Sequence, residues 1–479
     1  MTQFIQPGSV ATPLCVDLDG TLVKSDTLHD GLLKLARSQP WRLVLLLASL
    51  GRGKAFFKRE VARIAGLDIT RLPYNHAVLR FIEEQRAQGR RVYLTTGADS
   101  TLAGQVADHL GCFDAVLASD GTTNMTGNRK LASLQKRFGV FDYIGNARAD
   151  LPVLAHSTRI LVANPTLGLR WGLKATHLEI AERFEDRVAL PWTLLKAFRV
   201  HQWAKNILLF LPLLLSHALT GDNIVAALVA FVCFSLVASA NYIVNDLLDV
   251  EHDRHHAKKR LRPFAAGDIS VPVGLGLAIL LVAVSVSLLP LLPLNFAFWL
   301  LVYVVSTTVY SLGLKRVALI DVLMLSGLYT LRMLAGGAAT ETPISPWLAS
   351  FAIFLFLSLA MVKRFSELEN LREQGGSQSP GRGYQIADME QIRSFGTASA
   401  YAAVVVFSLY ITRPDVDALY HHANRLWLIL PFMLYWLHRV WLMASRGELN
   451  EDPVIFAMRD RVSLALGASI LLLAVLAAI

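Results

Sequence analysis

The 479-residue sequence predicts an N-terminal α/β domain with a parallel sheet, followed by an all-α membrane domain. Up to about residue 190, short apolar runs alternate with polar helical stretches, which is typical of a doubly wound sheet. From residue 204 onward, long apolar stretches follow one another. Only 17% of the residues are charged, against about 25% in an average soluble domain. The composition therefore argues against a purely soluble enzyme and excludes a disordered chain.

Five apolar runs in the N-terminal part have the length of strands, and most of them end at Asp, Thr or Gly. The predicted strands are Leu14–Asp17, Arg91–Thr96, Ala115–Ala118, Phe141–Ile144 and Ile160–Val162. We expect an α/β domain over residues 1–185, a linker or interfacial helix over 186–203 and a membrane domain over 204–479. The first twelve residues lack a basic and an apolar region, so we expect no cleavable signal peptide.

Nine apolar stretches of the C-terminal part are each close to the roughly 20 residues that cross a bilayer. They cover residues 204–219, 224–244, 271–289, 294–312, 318–338, 345–362, 396–412, 426–443 and 462–479. If the N-terminal domain is cytosolic, the inner loops carry fifteen basic residues and the outer loops carry two, Arg413 and Arg425. Because basic residues are enriched in cytoplasmic loops, we expect this orientation.

The net charge of +9 suits an anionic lipid, a phosphate ligand or a nucleic acid. The basic residues of the membrane part are concentrated on the inner loops, so the positive charge is explained first by the orientation in the membrane and second by phosphate binding. Nothing in the pattern indicates a nucleic acid as partner. The three cysteines, Cys15, Cys112 and Cys233, have no disulfide or zinc spacing, so we expect a reducing compartment.

A pair of carboxylates follows the first predicted strand. Asp17 and Asp19 stand at its carboxyl end, where doubly wound sheets bind ligands, and Gly20 lets the chain turn. This spacing suits a nucleophile beside an acid/base group. The stretch resembles the first motif of the haloacid dehalogenase (HAD) superfamily of aspartyl phosphatases, and the resemblance extends over about residues 12–180.

Two further motifs follow in the order that this superfamily shows. Thr96, favoured over Thr95, resembles the second-motif hydroxyl after an apolar strand. Lys130 resembles the third-motif lysine, with Lys136 as the alternative. The resemblance also implies that residues 26–86 form a helical cap, which selects the substrate in this superfamily.

The fourth motif departs from the superfamily pattern, because Asn146 replaces its first acid while Asp150 keeps the second. An amide oxygen still suits Mg²⁺, with one negative charge fewer. The resemblance implies that Asp17 attacks a phosphoryl group and that Asp19 protonates the leaving oxygen. It also implies a Mg²⁺ ion at Asp17, the Asp19 carbonyl and Asp150. Lys130 would add positive charge there.

The second predicted span ends in a group of oxygen-bearing side chains, which we call the acidic cluster. Its members are Asn245, Asp246, Asp249 and Asp253. On one helix they fall within an arc of about 100°. Acids in a membrane are costly and usually functional, and such a group suits Mg²⁺ that bridges substrate phosphates. A solvated acidic helix end is the alternative.

A basic stretch follows the acidic cluster. Its cationic residues are Lys258, Lys259, Arg260 and Arg262. Phosphate binding and simple positive-inside anchoring both remain open. Together the two elements resemble the UbiA superfamily of intramembrane prenyltransferases over about residues 195–479.

The second acidic motif of that superfamily is reduced to Asp321, because Leu325 stands at the position four residues on. Arg332 lies eleven residues after Asp321, so both can face one side of the fifth span. One branch of the superfamily transfers phosphoribose to a lipid carrier, and the chain resembles this branch, the decaprenyl-phosphate phosphoribosyltransferases. The resemblance rests further on Lys205, Asn206, Lys315, Lys363, Arg364, Arg382 and Tyr384, and on the late stretch from Asp452 to Arg461.

The resemblance implies a transferase that uses phosphoribosyl pyrophosphate (PRPP) and polyprenyl phosphate and releases diphosphate. Mg²⁺ at the acidic cluster would hold the diphosphate, and the basic residues would hold substrate phosphates in pairings that stay open. The HAD domain would then remove the 5-phosphate, which gives polyprenyl-phosphoryl-ribose for cell-envelope glycan synthesis. The implied location is the bacterial cytoplasmic membrane, with the N-terminal domain and both active sites on the cytoplasmic side.

Two other interpretations are open at this stage. The protein could transfer a prenyl chain to an aromatic or other small acceptor, with the HAD domain acting on an isoprenoid phosphate. The missing second acid pair argues against this. It could instead be a lipid-binding scaffold or transporter with inactive catalytic domains, which the retained acidic motifs disfavour. An inactive HAD domain and a homo-oligomer also remain open.

Overall fold

A computed structural model describes residues 12–217, 219–373, 382–417, 419–449 and 452–479. The described residues form two compact units. One contains the described part of Met1–Phe198 together with Tyr242–Leu277, and the other contains Arg199–Asn241 with the described part of Ala278–Ile479. The expectation about a signal peptide concerns residues that, apart from Thr12, lie outside the described ranges.

The first unit is built on a six-stranded parallel sheet with the strand order β3-β2-β1-β4-β5-β6. The strands are β1 (Leu14–Val16), β2 (Val92–Asp99), β3 (Ala115–Ser119), β4 (Asp142–Gly145), β5 (Ile160–Ala163) and β6 (Glu182–Phe184). The predicted parallel α/β fold is confirmed, and the first five strands lie where the sequence predicts them. The sixth was missed because its three residues, of which only Phe184 is buried, lack an apolar run.

Strand β1 lies at the centre of the sheet, between β2 and β4. Leu14 is in register with Val92 on one side and with Asp142 on the other. The strand order reverses at this point, and in such sheets ligands bind beyond the carboxyl ends of the strands. The residues that follow β1, β2 and β4 are therefore brought to one edge.

Helices cover the sheet, and four of them begin within residues 26–86, the range of the expected cap. The helices of the N-terminal part are α1 (Thr27–Ser38), α2 (Pro40–Ala48), α3 (Lys54–Ala65), α4 (His76–Ala87), α5 (Ser100–Leu110), α6 (Asn128–Phe138), α7 (Leu151–Leu154), α8 (Leu167–Ala175) and α9 (Leu190–Phe198). Helices α1 to α3 share a small apolar core around Leu35, Leu46 and Phe57. Helix α4 instead packs its buried Phe81 and Ile82 into the core of the sheet.

Among the described residues, the C-terminal part contains long apolar helices together with short ones of four or five residues. They are α10 (Leu211–Leu215), α11 (Gly221–Leu248), α12 (Val250–Arg254), α13 (Val271–Leu288), α14 (Leu294–Leu312), α15 (Ile320–Ala339), α16 (Pro346–Glu373), α17 (Met389–Ile411), α18 (Pro414–Asp417), α19 (Ile429–Ser445), α20 (Pro453–Ala457) and α21 (Arg461–Ala478). Among the described residues, eight of all these helices are long and apolar enough to cross a membrane: α11, α13 to α17, α19 and α21. The chain is therefore a multi-pass integral membrane protein.

The first of the nine predicted spans, residues 204–219, differs from the other eight. The chain there forms a 3₁₀ helix over Val200–Phe210 and then the short helix α10, an apolar stretch shorter than a full span. Pro212, which cannot donate a backbone hydrogen bond, stands near the start of α10.

Candidate active sites

The first candidate site lies where β1 and β4 end, and Lys130 is at its centre. The Lys130 ammonium donates to Asp17 Oδ1 at 2.9 Å, to Asp150 Oδ1 at 3.2 Å and to the Tyr143 hydroxyl at 2.7 Å. All four side chains are buried. Lys136, the alternative third-motif lysine, is exposed on α6. The structure thus brings Lys130, and not Lys136, to the predicted nucleophile.

Asp150 is held by hydrogen bonds at both of its carboxylate oxygens. Oδ2 accepts the backbone N–H groups of Asn146 and Ala147 at 3.2 and 3.0 Å, and Oδ1 accepts the Tyr143 hydroxyl at 2.8 Å besides Lys130. Burial raises the pKa of Tyr143 well above its ordinary value, so its hydroxyl stays a donor. The sequence did not point to Tyr143. The signal that could have identified it is a tyrosine on a buried strand, two residues before Gly145.

Asp19 is positioned by the start of α1. Its Oδ1 accepts the backbone N–H of Thr27 at 2.8 Å, while the Asp26 side chain caps the same helix. Burial and then the charge of Asp26 raise the pKa of Asp19 to about 8. Burial also raises the pKa of Asp17, but the Lys130 ammonium opposes it and the value stays at about 6. The two carboxyl groups therefore differ in how readily they ionise.

Asn146 lies directly against the turn that follows Asp19. A Cβ atom placed on Gly20 would come within 1.9 Å of Asn146 Nδ2, and Gly20 has a φ of +75°. Only glycine fits there. This close approach brings the first and fourth motifs into contact.

Both threonines of the second motif are buried, but they make different hydrogen bonds. The Thr96 hydroxyl accepts the backbone N–H of Ala98, whereas the Thr95 hydroxyl donates to Val16 O at 3.4 Å.

A narrow cleft opens between α1, α3 and the end of β2. Asp19 lines it, together with Lys58 from α3. The Lys58 ammonium donates to Gly97 O at 2.7 Å and to Asn124 Oδ1 at 3.3 Å. A cationic side chain thus reaches from the helical insertion to the predicted phosphatase site. No motif in the sequence pointed to Lys58.

The acidic cluster of the second candidate site lies at a break between two helices. Helix α11 ends at Leu248, and Asp249 stands between it and α12. Hydrogen bonding nevertheless continues, because the N–H of Asp249 donates to Asn245 O at 3.0 Å and that of Asp253 to Asp249 O at 2.8 Å. The carboxylates of Asp246, Asp249 and Asp253 are buried.

Guanidinium groups neutralise these carboxylates. Arg262 pairs with Asp246 Oδ1 at 3.1 Å and with Asp253 Oδ2 at 2.7 Å, and Arg37 pairs with Asp249. Of the predicted basic stretch, therefore, Arg262 reaches the acidic cluster. Lys258 and Arg260 are exposed, and Lys259, like Arg262, is half-buried.

Within the described residues, no group of three or more acidic, histidine or cysteine side chains is arranged to hold a metal ion by itself. The chemistry of both donor sets nevertheless fits Mg²⁺, which prefers carboxylate, amide and carbonyl oxygens. In each site, cationic side chains bridge or pair with the buried carboxylates, so the sites accommodate positive charge.

In the second unit, Asp321 forms the centre of a buried cluster. Arg364 Nε lies 2.5 Å and Arg382 Nη1 3.0 Å from its carboxylate, and the Tyr310 hydroxyl donates to it at 2.7 Å. Arg364 also pairs with Glu367. The backbone before Asp321 is shaped by Leu319, which has a φ of +66° and donates its N–H to the Tyr384 hydroxyl at 2.9 Å.

A second basic group surrounds Asp452. The ammonium groups of Lys205 and Lys363 lie 2.8 and 2.9 Å from Asp452 Oδ2, and the Tyr329 hydroxyl donates to Oδ1 at 3.0 Å. Burial alone would raise the pKa of Asp452, but the charges of Lys363 and Lys205 outweigh it and hold that pKa below its ordinary value. Sequence reasoning noted Asp452 but did not connect it with the two lysines.

Arg332 lies in a third group, apart from the cluster around Asp321. Its Nε donates to Asn206 Oδ1 at 2.9 Å, and its guanidinium lies 5.0 Å from the ring centre of Tyr303 and 5.4 Å from that of Tyr329. Although Asp321 and Arg332 share α15, their contacts place them in different polar groups. Lys315 is half-buried in the turn between α14 and α15.

Comparison with known proteins agrees with this organisation. The UbiA prenyltransferase family matches residues 207–459, which is more than half of the chain. The chain belongs to the UbiA prenyltransferase family. A match to haloacid dehalogenase-like hydrolases over residues 14–155 shows that this UbiA-family protein carries an N-terminal HAD domain. It is thus a membrane transferase joined to a hydrolase domain.

Relatives of this UbiA-family protein differ in how much of the chain they match. The uncharacterized protein y4nM of Sinorhizobium fredii is 36% identical over 96% of this chain and 89% of its own length. Decaprenyl-phosphate phosphoribosyltransferase of Mycobacterium tuberculosis is 34% identical over 56% of this chain and 88% of its own length. A solved UbiA homologue from Archaeoglobus fulgidus, bound to GPP and Mg²⁺, is 16% identical over 60% of this chain and 99% of its own, with a TM-score of 0.46.

Proposed function

We propose that this UbiA-family protein transfers 5-phosphoribose from PRPP to polyprenyl phosphate, and that its HAD domain removes the 5-phosphate from the product. The observation that carries the proposal is the excess of cations in the three polar groups around Asp321, Asp452 and Arg332. Together these groups contain five basic side chains and three carboxylates. The cations are Lys205, Arg332, Lys363, Arg364 and Arg382, and the acids are Asp321, Glu367 and Asp452.

This excess of positive charge supports one of two substrate pairs over the other. A prenyl diphosphate with an uncharged acceptor brings one diphosphate group. PRPP with a lipid phosphate brings a diphosphate, a 5-phosphate and the phosphate of the acceptor. Arginine and lysine groups in a protected environment suit such anions. Similarity to the Mycobacterium tuberculosis phosphoribosyltransferase over most of that protein's length supports the same choice.

The proposed transfer is a displacement at C1 of the ribose. A phosphate oxygen of the lipid attacks C1, the bond from C1 to the diphosphate oxygen breaks, and diphosphate leaves with the bonding electrons. Because the lipid phosphate is already an anion, the reaction needs no strong base. Mg²⁺ held by Asp246, Asp249 and Asp253 would neutralise the diphosphate and stabilise it as leaving group.

The HAD domain would act on the 5-phosphate of the lipid product. Asp17 attacks the phosphorus, the bond to the ribose O5 breaks, and Asp19 donates its proton to that oxygen. Water then hydrolyses the aspartyl phosphate, with Asp19 taking a proton from it, and inorganic phosphate leaves. Lys130, bonded to Asp17, offsets the negative charge during both steps.

The basic inner loops support placing both reactions on the cytoplasmic side of the bacterial membrane. Two radiolabels test the proposed transfer in membranes that contain the full chain. Label from the ribose of PRPP should enter the lipid fraction, and Asp249→Ala should abolish this incorporation. Transfer of a prenyl label to a small aromatic acceptor, without incorporation of ribose, would show that the protein is a prenyltransferase instead.

A further inference from the structure

The segment that carries the acidic cluster is bound to the HAD domain by a buried ion pair. Arg254, the last residue of α12, donates from Nη1 to Asp30 Oδ2 at 2.8 Å and from Nη2 to Ser25 Oγ at 3.1 Å. Ser25 in turn donates to Asp30 at 2.7 Å. All three residues are less than 9% exposed. We call Ser25, Asp30 and Arg254 the Arg254 clamp.

The loop after the acidic cluster also fits closely against the HAD domain. A Cβ atom on Gly267 would lie 2.8 Å from Lys24 Cβ and 3.1 Å from its carbonyl carbon, and Gly267 has a φ of +73°. The next residue, Asp268, pairs with Lys24 at 3.3 Å. The loop therefore follows the turn that connects the first HAD motif to α1.

A second contact runs from the other end of α1. Asp30 lies near the start of this helix, and Arg37 lies in its last turn, where its guanidinium pairs with the Asp249 carboxylate. The side chains of Arg37 and Asp249 are 26% and 11% exposed. Arg37 thus places a positive charge on a carboxylate that the proposed function assigns to a divalent cation.

We propose that the HAD domain sets the affinity of the acidic cluster for divalent cations through two contacts of opposite effect. The Arg254 clamp positions the segment and so strengthens binding, whereas Arg37 competes with the cation for Asp249 and so weakens it. This inference rests on the proposed cation site, but it does not require that the HAD domain be an active phosphatase.

Titration of the metal-free full chain in detergent with Mn²⁺ tests the inference without substrates. Each variant is compared with the same variant that also carries Asp253→Asn, and the difference gives binding at the acidic cluster. We expect Arg254→Met to weaken this binding by about tenfold, as losses of supporting contacts around metal ligands typically do. Arg37→Gln should tighten it several-fold, because the competing charge is removed.

The opposite signs separate this inference from a loss of structure, which would weaken binding in both variants. Arg42→Gln is the matched control, since Arg42 is exposed on α2 with its guanidinium 4.9 Å from the Trp41 ring. If Arg254→Met does not fold, Gly267→Ala displaces the same loop without removing a charge and should also weaken binding.

Arg37→Gln that binds Mn²⁺ no more tightly than the parent protein would overturn the inference, as would Arg254→Met or Gly267→Ala with unchanged affinity. A parent protein without Asp253-dependent Mn²⁺ binding would instead contradict the cation site on which the proposed function depends.

Discussion

The Lys130 ammonium lies 2.9 Å from Asp17 Oδ1, with both side chains buried at the centre of the sheet edge. Asp150 shares the same ammonium at 3.2 Å. Two carboxylates that would repel each other in a protected site are thereby held together by one cation. Because the hydrogen-bond partners of Lys130 belong to the HAD domain, a substitution at Lys130 tests this domain separately from the transferase.

Replacing Lys130 by Met should inactivate the phosphatase and destabilise its domain. The substitution leaves two buried carboxylates without their cation, and breaking a buried pair in this way costs about 3–5 kcal/mol. Hydrolysis of a phosphomonoester and thermal unfolding of the purified chain measure the two effects. Lys136→Met, on the exposed side of α6, should change neither. Retained hydrolysis in Lys130→Met would remove Lys130 from the proposed chemistry.

Asn146→Asp should restore the acid that the HAD pattern has at this position. Because Asn146 is buried near Asp19 and Asp150, the new charge should lower the unfolding temperature in the absence of Mg²⁺. Added Mg²⁺ should then raise that temperature more than it does in the parent protein, since cation binding stabilises the folded state. Equal Mg²⁺-dependent shifts in both proteins would argue that Asn146 is not near the metal.

Asp452→Asn should destabilise the second unit by on the order of 1–3 kcal/mol, the cost of losing hydrogen bonds to a charged group. The pKa of Asp452 is below its ordinary value in the folded protein. Its contribution is therefore fully present above the unfolded-state pKa and is lost only as the pH falls through the folded-state value. The decrease in unfolding temperature should be the same between about pH 5.5 and 7. A decrease that vanishes at the lower pH would contradict the ion pair.

The elements that depend on local pattern were predictable from the sequence. Five strands and the long apolar helices follow from apolar runs in the sequence. The helical cap, Asp17, Asp19 and Lys130 were instead expected from the resemblance to the HAD superfamily. Strand β6 has no such pattern, and it is held by pairing with β5.

The partners of the site residues could not be predicted in the same way, because they are distant in sequence. Asp452 pairs with Lys205 across 247 positions, and Arg254 pairs with Asp30 across 224. Periodicity reports which face of a helix a residue occupies, but not which element packs against that face. For this reason Asp321 and Arg332, on the same helix, lie in different polar groups.

Mass spectrometry of the lipid product is the most direct test of the central claim. The parent protein, incubated with PRPP, polyprenyl phosphate and Mg²⁺, should form polyprenyl-phosphoryl-ribose. Asp17→Asn should accumulate the same lipid with its 5-phosphate, and Asp249→Ala should form neither product. A parent protein that forms no ribose-containing lipid would contradict the proposed transferase. An Asp17→Asn variant that still yields the dephosphorylated lipid would contradict the role of the HAD domain.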